Sequence, residues 1–401
     1  MISLDSAAAT PIHPAVLEAM LPFFREPGNP ASLYSAGTRA RQALEEAREV
    51  VASFLGASPS EIFFTSGGTE AINLGLKGFY EANRKRGNRI LSSPVESVAV
   101  LRSLDWLRGQ GAEIGWVPVD REGGVDPAAI AAALTPETIL VCVQWANGET
   151  GAIQPIPEIS RVCQEAGTTL FCDATASVGW LPIDLGQISV PLFAFHFRGC
   201  GGAVGVGALR KQERVALCSQ IHGGSQEKGL RAGTENLPGI VGAAKAVELT
   251  SGTLAASTSR LRSLSQKLWE AIRSTIPALH WHGPPPGEQR LPHHLAWSAE
   301  GAEGEAQVLA CDLKGIAIAA GPSCISKSLR GSHVLRSIGI PQRLVMSAIQ
   351  LTLSRETSEA DLDSFCQVYT RVIERLRSMS PAWQMVKDRL PSKPSAGEAG
   401  R

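Results

Sequence analysis

The 401-residue chain lacks an excess of either charge sign: 38 Lys and Arg stand against 38 Asp and Glu. Without a net positive field it has no electrostatic hold on nucleic acid or on an anionic membrane. Aromatic residues are scarce, at 5%, which also argues against a base-stacking platform. The start, MISLDSAAATPIHP, has no basic segment followed by an apolar one, and no window holds 18 uninterrupted apolar residues. Neither a secretory signal nor a membrane helix is expected. The eight cysteines (Cys142, Cys163, Cys172, Cys200, Cys218, Cys311, Cys324 and Cys366) show no CxxC spacing. They read as free thiols in a reducing cytoplasm, and no metal site is expected.

What is present is a large apolar fraction, 44%, with only 19% charged residues. Such a chain buries a sizeable core. Leu44, Ala47, Val51, Phe54 and Leu55 recur at helical spacing within 38–55, and Gly56 closes that helix. Strands and helices then alternate: strands at 61–65, 89–92, 113–118, 138–144 and 168–172, and helices after Thr69 and over 97–109, 127–134 and 156–166. This βα alternation predicts a mainly parallel sheet covered on both faces, with ligands at the carboxyl ends of its strands. A long helical stretch over about 235–275 and a Pro-rich break, GPPPGEQRLP at 283–292, lead into a smaller α+β part. The tail from 386 is polar and rich in Pro and Gly, and reads as disordered.

Several segments carry candidate chemistry. SGGTEA (66–71) joins a strand to a helix, and backbone N–H groups there suit a phosphate; a plain turn is the alternative. GGAVGVG (201–207) matches no nucleotide-binding pattern and reads as a hairpin with close backbone approach. Asp173, in FCDATASVG (171–179), ends an apolar strand and faces either the ligand crevice or a helix start. Asn147 and Glu149, in WANGETG (145–151), end the preceding strand. HGGSQEKGLRAGT (222–234) is a polar, Gly-rich loop with His222, Arg231 and Thr234. Cys324 sits among small residues in GPSCIS (321–326).

In their order and spacing these segments resemble the cysteine desulfurases, of the class V aminotransferase group of fold-type I pyridoxal-phosphate enzymes. The resemblance spans about residues 2–385 and includes LDSAAATP (4–11), GNPAS (28–32), FTSGGTEAINL (64–74), NGETG (147–151), CDATASVGWLPIDL (172–185), GVGAL (205–209), HGGSQEKGLRAGT (222–234), the Cys324 loop and SHVLRSIGI (332–340). It implies an α/β fold with a seven-stranded, mainly parallel sheet in a large domain (16–255). A small α+β domain (1–15 and 256–385) accompanies it. It implies a homodimer. It also implies residue roles: Gly68 and Thr69 at the cofactor phosphate, Asn147 near the phenolic oxygen, Asp173 at the pyridinium nitrogen, Thr234 at the neighbour's phosphate, and Cys324 as the sulfur-carrying thiol.

The departures from that family concentrate on the chemistry. Its Schiff-base lysine falls at Arg198 or Gly199, and no lysine occurs between Lys85 and Lys211. Arginine stays protonated and cannot replace it. The ring-stacking histidine becomes Ser97, a glutamine near the phenolic oxygen becomes Ala176, and the carboxylate-clamping arginine becomes Gln350. Phe195 and Phe197 fall where the family places phosphate-contacting Ser and His, so apolar rings are expected against the phosphate. The expectation is a desulfurase-like protein without ordinary lysine-dependent catalysis, acting as a scaffold, as a partner subunit of a desulfurase-like heterodimer, or as a sulfur carrier through Cys324 to an acceptor protein. The alternative is an active enzyme with non-covalent pyridoxal phosphate and His196 as base. A third reading is an interaction module with an empty crevice.

Overall fold

A computed structural model describes residues 1–321 and 331–387; Cys324 and the tail from residue 388 lie outside them. Seven strands form the main sheet: β1 (Ile62–Thr65), β2 (Arg89–Ser92), β3 (Glu113–Trp116), β4 (Thr138–Cys142), β5 (Thr169–Asp173), β6 (Leu192–His196) and β7 (Gly207–Lys211). Their spatial order is β1-β7-β6-β5-β4-β2-β3, and β7 alone runs antiparallel to its neighbours. The expected mainly parallel sheet is therefore present. Strands such as β4 are buried along their whole length, as a sheet covered on both faces requires.

Each face of the sheet has its own apolar layer. One contains Phe193, Phe195, Leu44, Val51 and Ile240; the other contains Ile72, Leu76, Leu104, Phe171 and Leu192. The layers follow the period-2 alternation of the strands. The expected hairpin at 201–207 joins β6 to β7. A Cβ on Gly207 would lie 2.4 Å from the Gly67 carbonyl carbon, so only glycine lets this hairpin touch the turn after β1.

The expected helical stretch over about 235–275 is built of two helices, Leu237–Ser251 and Leu254–Thr275. The Thr253 hydroxyl donates back to the Leu249 and Thr250 carbonyls at the break. The break has a packing reason. The first helix sends Leu237, Ile240 and Val247 into the core of the large sheet. The second sends Leu261, Leu264, Leu268 and Ile272 into a separate core with Trp297, Leu351, Phe365 and Tyr369. That second core lines three antiparallel strands, β8 (Leu279–Trp281), β9 (His294–Ala299) and β10 (Ala348–Thr352). The N-terminal strand Ile2–Ser3 pairs with Ile316–Ala317, and Leu4 joins this second core. The last described helix runs through Lys387, two residues into the tail expected to be disordered.

Candidate active-site crevice

The carboxyl ends of β2, β4, β5 and β6 open into a cavity of about 360 Å³ that the β8–β10 sheet closes from the other side. Asp173 ends β5 and lies at its floor, 2% exposed. Its Oδ1 accepts from the Thr175 amide at 2.9 Å and the Thr175 hydroxyl at 2.6 Å, and its Oδ2 accepts from the Ser97 hydroxyl at 2.7 Å. No helix follows Asp173, so the crevice reading of this residue holds over the helix-start reading. Burial pushes its pKa up, against the pull of the Thr175 and Ser97 hydrogen bonds.

Asn147 is buried beside it and makes a double-ended clamp. Its Nδ2 donates to the Val95 carbonyl at 2.9 Å, and its Oδ1 accepts from the Glu149 and Thr150 amides at 2.8 Å each. Gln144 donates to the same Val95 carbonyl at 2.8 Å. The NGETG turn is thereby fixed against the segment after β2.

The Gly67–Thr69 turn opens the helix Gly68–Asn83 just outside the cavity. A Cβ on Gly67 would meet nothing within 4 Å, so the helix start is open to a ligand. The Glu70 carboxylate takes the Ser66 amide at 2.9 Å and pairs with Arg231 at 3.0 Å. This ties the 222–234 loop to the Gly67–Thr69 turn. The loop is also anchored by Glu227, whose carboxylate receives both terminal nitrogens of buried Arg48 at 2.9 Å. Thr69 and Thr234 are both exposed. Thr69 borders the turn, whereas Thr234 lies outside the lining of this chain's cavity among the described residues.

The apolar rings expected against a phosphate are not there. Phe195 and Phe197 are 1% and 0% exposed and pack with Phe193 and Phe64 in the core. Strand alternation instead turns His196 toward the cavity and the Gly67–Thr69 turn, and Arg198, in the turn after the strand, lines the same space. The Arg198 amide donates to His196 Nδ1 at 3.3 Å. That nitrogen therefore carries no proton, and neutral His196 presents Nε2–H as a donor. Burial and nearby Arg198 lower its pKa to about 4. The Arg198 guanidinium donates to the Ala7 carbonyl at 2.7 Å.

The two alignments of the family's lysine position have different room. A Cβ on Gly199 would lie 2.1 Å from the Val178 carbonyl oxygen. No side chain fits there without moving backbone. Arg198 does project its side chain to the cavity wall. Among the described residues no lysine lines this cavity.

Sequence reasoning did not single out Glu96 or the histidine pair His293 and His294. Glu96 is fully buried, with Oε1 held by Ser93 at 2.7 Å and Oε2 without a partner. Burial pushes its pKa up to about 8. Glu149 is raised to about 7 by burial, against the Ser332 hydroxyl that donates to it. His293 stacks on Trp180 at 3.8 Å and 16°, and burial lowers its pKa to about 3. The only sequence signal was their place in short polar runs just after strands or at the Pro-rich break.

The model of the class-V aminotransferase family matches residues 2–365. The chain belongs to this family. It is 40% identical over 384 residues to the cysteine desulfurase IscS of Clostridium botulinum (strain Hall), covering 96% of this chain and 97% of that protein. It is 41% identical over 391 residues to the cysteine desulfurase IscS of Anaeromyxobacter dehalogenans, covering 96% of each. A solved NifS-like protein matches with a TM-score of 0.87 at 33% identity, over 93% of this chain and 99% of that one. As a class-V aminotransferase family member, the chain is thus cysteine desulfurase-like along its whole described fold. No described helix is long and apolar enough to cross a membrane.

Proposed function

We propose that this protein is a cysteine desulfurase-like sulfur-transfer protein that does not use lysine-dependent pyridoxal-phosphate catalysis. The observation that carries this reading is the packed Gly199 backbone together with a cavity wall that, among the described residues, holds no lysine. A lysine supplies both the covalent anchor and a proton-transferring amine. Arg198 supplies neither, because its guanidinium stays protonated.

The residues present still fit pyridoxal phosphate as a non-covalent ligand. Three donors occupy Asp173, and a carboxylate offers about four lone-pair sites. One site is left for a pyridinium N–H. The open Gly67–Thr69 turn, with His196 Nε2–H and Arg198 at its border, offers donors to a phosphate. When bound, the cofactor supplies an electron sink for the substrate carbon. In the reading of an active enzyme, His196 as base meets a difficulty: its free nitrogen already carries the proton.

In the carrier role, Cys324 accepts sulfur from an outside persulfide: its thiol becomes Cys–S–SH and the donor persulfide becomes a thiol. The acceptor is then another protein thiol. An assembly of two such chains, or of this chain with a desulfurase-like subunit, is supported by Thr234, exposed away from its own cavity. The exposed Phe24, Leu33 and Tyr34 support it too. We assign residues 16–255 to the large domain and 1–15 with 256–385 to the small one, and a cytoplasmic location.

The test is sulfide release from L-cysteine with and without added pyridoxal phosphate, alongside iodoacetamide labelling at neutral pH. The proposal expects no cofactor-dependent sulfide and fast labelling of Cys324. Robust cofactor-dependent sulfide release would overturn it. Slow labelling of Cys324, like that of buried Cys163 and Cys311, would exclude the carrier role and leave the scaffold role.

A further inference from the structure

Two glycine turns meet backbone to backbone beside Arg198. A Cβ on Gly199 would lie 2.1 Å from the Val178 carbonyl oxygen, and one on Gly179 would lie 2.4 Å from the Gly199 carbonyl carbon. The first turn, RGCGG at 198–202, has glycine at 199, 201 and 202, and glycine loses the most conformational freedom when a turn is fixed. Its own backbone bonds are short in range: the Phe197 carbonyl accepts from the Cys200 and Gly202 amides at 3.0 and 2.9 Å, and the Arg198 carbonyl from the Gly201 amide at 2.8 Å. Two side chains from distant segments complete the hold. The Thr250 hydroxyl donates to the Cys200 carbonyl at 3.3 Å. Arg355, between β10 and the helix Glu359–Ser378, donates one terminal nitrogen to the Gly199 carbonyl at 2.6 Å and the other to the Gly179 carbonyl. One planar fork of N–H donors thus spans both turns.

Arg355 is itself anchored on the side of the second core. Arg260, on the helix Leu254–Thr275, donates to the Arg355 carbonyl, and to the Thr357 carbonyl at 2.9 Å. The Arg355 guanidinium carbon lies 4.7 Å from the Trp180 ring centroid, in a cation–π contact. Trp180 follows Gly179 and packs into the second core with Leu4 and Leu261. Its ring stacks on His293, and its carbonyl accepts from the Thr258 hydroxyl at 3.1 Å. The two touching turns are thereby tied to the second core, while Arg198, on the first of them, lines the cavity and the space beside the Gly67–Thr69 turn. Arg355 is not among the residues that line the cavity, so it acts on the crevice through the backbone of the turn.

We infer that Arg355 is a positioning residue: its fork holds the 198–202 turn against the 178–180 turn and so sets the place of Arg198 in the crevice wall. The hold on the turn stands on the contacts alone. Its consequence for cofactor retention rests on the reading of a non-covalent pyridoxal-phosphate site. Cys200, inside the turn, reports on the hold. Its thiol is buried, and burial pushes its pKa up to about 11, so it labels slowly at neutral pH. The Arg355 charge lowers that pKa. Loss of the charge alone therefore slows labelling further, and only an opening of the turn speeds it.

The experiment is a time course of iodoacetamide labelling on the full chain, for the parent, Arg355→Ala and Arg355→Lys, with each thiol followed by peptide mass. The expected result is labelling of Cys200 about tenfold faster in Arg355→Ala, the effect of one lost hydrogen bond on a local opening, with buried Cys163 and Cys311 unchanged. Arg355→Lys keeps the charge but cannot span two carbonyls, and should fall between. If Arg355→Ala exposes all three thiols together, its loss is global and Arg355→Lys decides: faster labelling of Cys200 alone supports the inference, and parent-like labelling overturns it. Parent-like labelling of Cys200 in both variants overturns it as well. Equilibrium dialysis of pyridoxal phosphate against the same proteins reads the consequence for the crevice. Retention weaker by about tenfold is expected where Cys200 opens, and unchanged retention there overturns the role of Arg355 in the crevice. A parent protein that retains no pyridoxal phosphate removes the cofactor reading instead, and the Cys200 result then decides the hold on the turn by itself.

Discussion

Phe195 and His196 are neighbours in one strand, and they answer to different demands. Phe195 points into the core with Phe193 and Phe197, where shape is set by the packing of an entire sheet face. His196 points the other way, to the cavity and the Gly67–Thr69 turn. The same division runs through the crevice as a whole. Asp173, Asn147 and the Gly67–Thr69 turn are held by hydrogen bonds that the fold itself needs, such as the Asn147 clamp on Val95 and on the 149–150 amides. Ser97, Arg198, Gly199 and Gln350 instead stand where the resemblance to cysteine desulfurases led one to expect other side chains. At one of them, Gly199, the Val178 carbonyl leaves no room for a side chain.

The sharpest contrast is within that strand. Phe195→Ala should cost about 3–5 kcal/mol, because it empties a closed core. His196→Ala should change stability little yet lower the retention of pyridoxal phosphate. Urea melts and equilibrium dialysis check the two halves; a large stability loss in His196→Ala would erase the contrast.

The two candidate lysine positions come next. Gly199→Lys should destabilise the protein by about 1–3 kcal/mol through overpacking against Val178, and should gain no reducible cofactor adduct. Arg198→Lys should stay folded and present an amine at the cavity wall. An adduct in the first variant and none in the second would show that the 198–200 turn is read the wrong way round.

The buried carboxyls give a pH signature. In the folded chain Glu96 keeps its proton up to about pH 8, and Glu149 up to about 7. In the unfolded chain both lose it near their ordinary values. The folded state therefore binds more protons across that window, and stability falls as pH rises through it. The lowered histidines work in the opposite direction, but only below their unfolded value, where the unfolded state takes up protons first. Between about pH 7 and about pH 8.5 the carboxyls therefore dominate. Glu96→Gln should flatten this slope and gain on the order of 2 kcal/mol over the parent at the alkaline end. Unchanged slopes in urea midpoints would contradict the assignment.

The smallest effect is expected at the crevice floor. Ser97→Ala removes the bond to Asp173 and the cap of the helix Val98–Gly109, for about 1 kcal/mol. It also frees a lone pair of Asp173, so retention of pyridoxal phosphate should rise rather than fall, which dialysis would read directly.

Much of this was legible in the sequence. The alternation of strands and helices, the hairpin at 201–207 and the positions of Asp173, Asn147 and the Gly67–Thr69 turn all follow from local pattern, because they are decided by neighbours along the chain. The orientation of Phe195 and Phe197 was not, because strand register selects a face and the sequence of β6 is apolar on both sides. The break at Gly252–Thr253 was hidden for a similar reason: helical periodicity runs on while the two halves bury against different cores. Glu96 was beyond reach as a site of chemistry, since burial and a missing partner are properties of tertiary contact.

The most direct test is reductive trapping. The protein is incubated with pyridoxal phosphate, reduced with borohydride and mapped by peptide mass. The account predicts no lysine-linked adduct, with any absorbance of the cofactor removed by desalting. A stoichiometric adduct on a single lysine would contradict it and make this chain an ordinary lysine-dependent desulfurase.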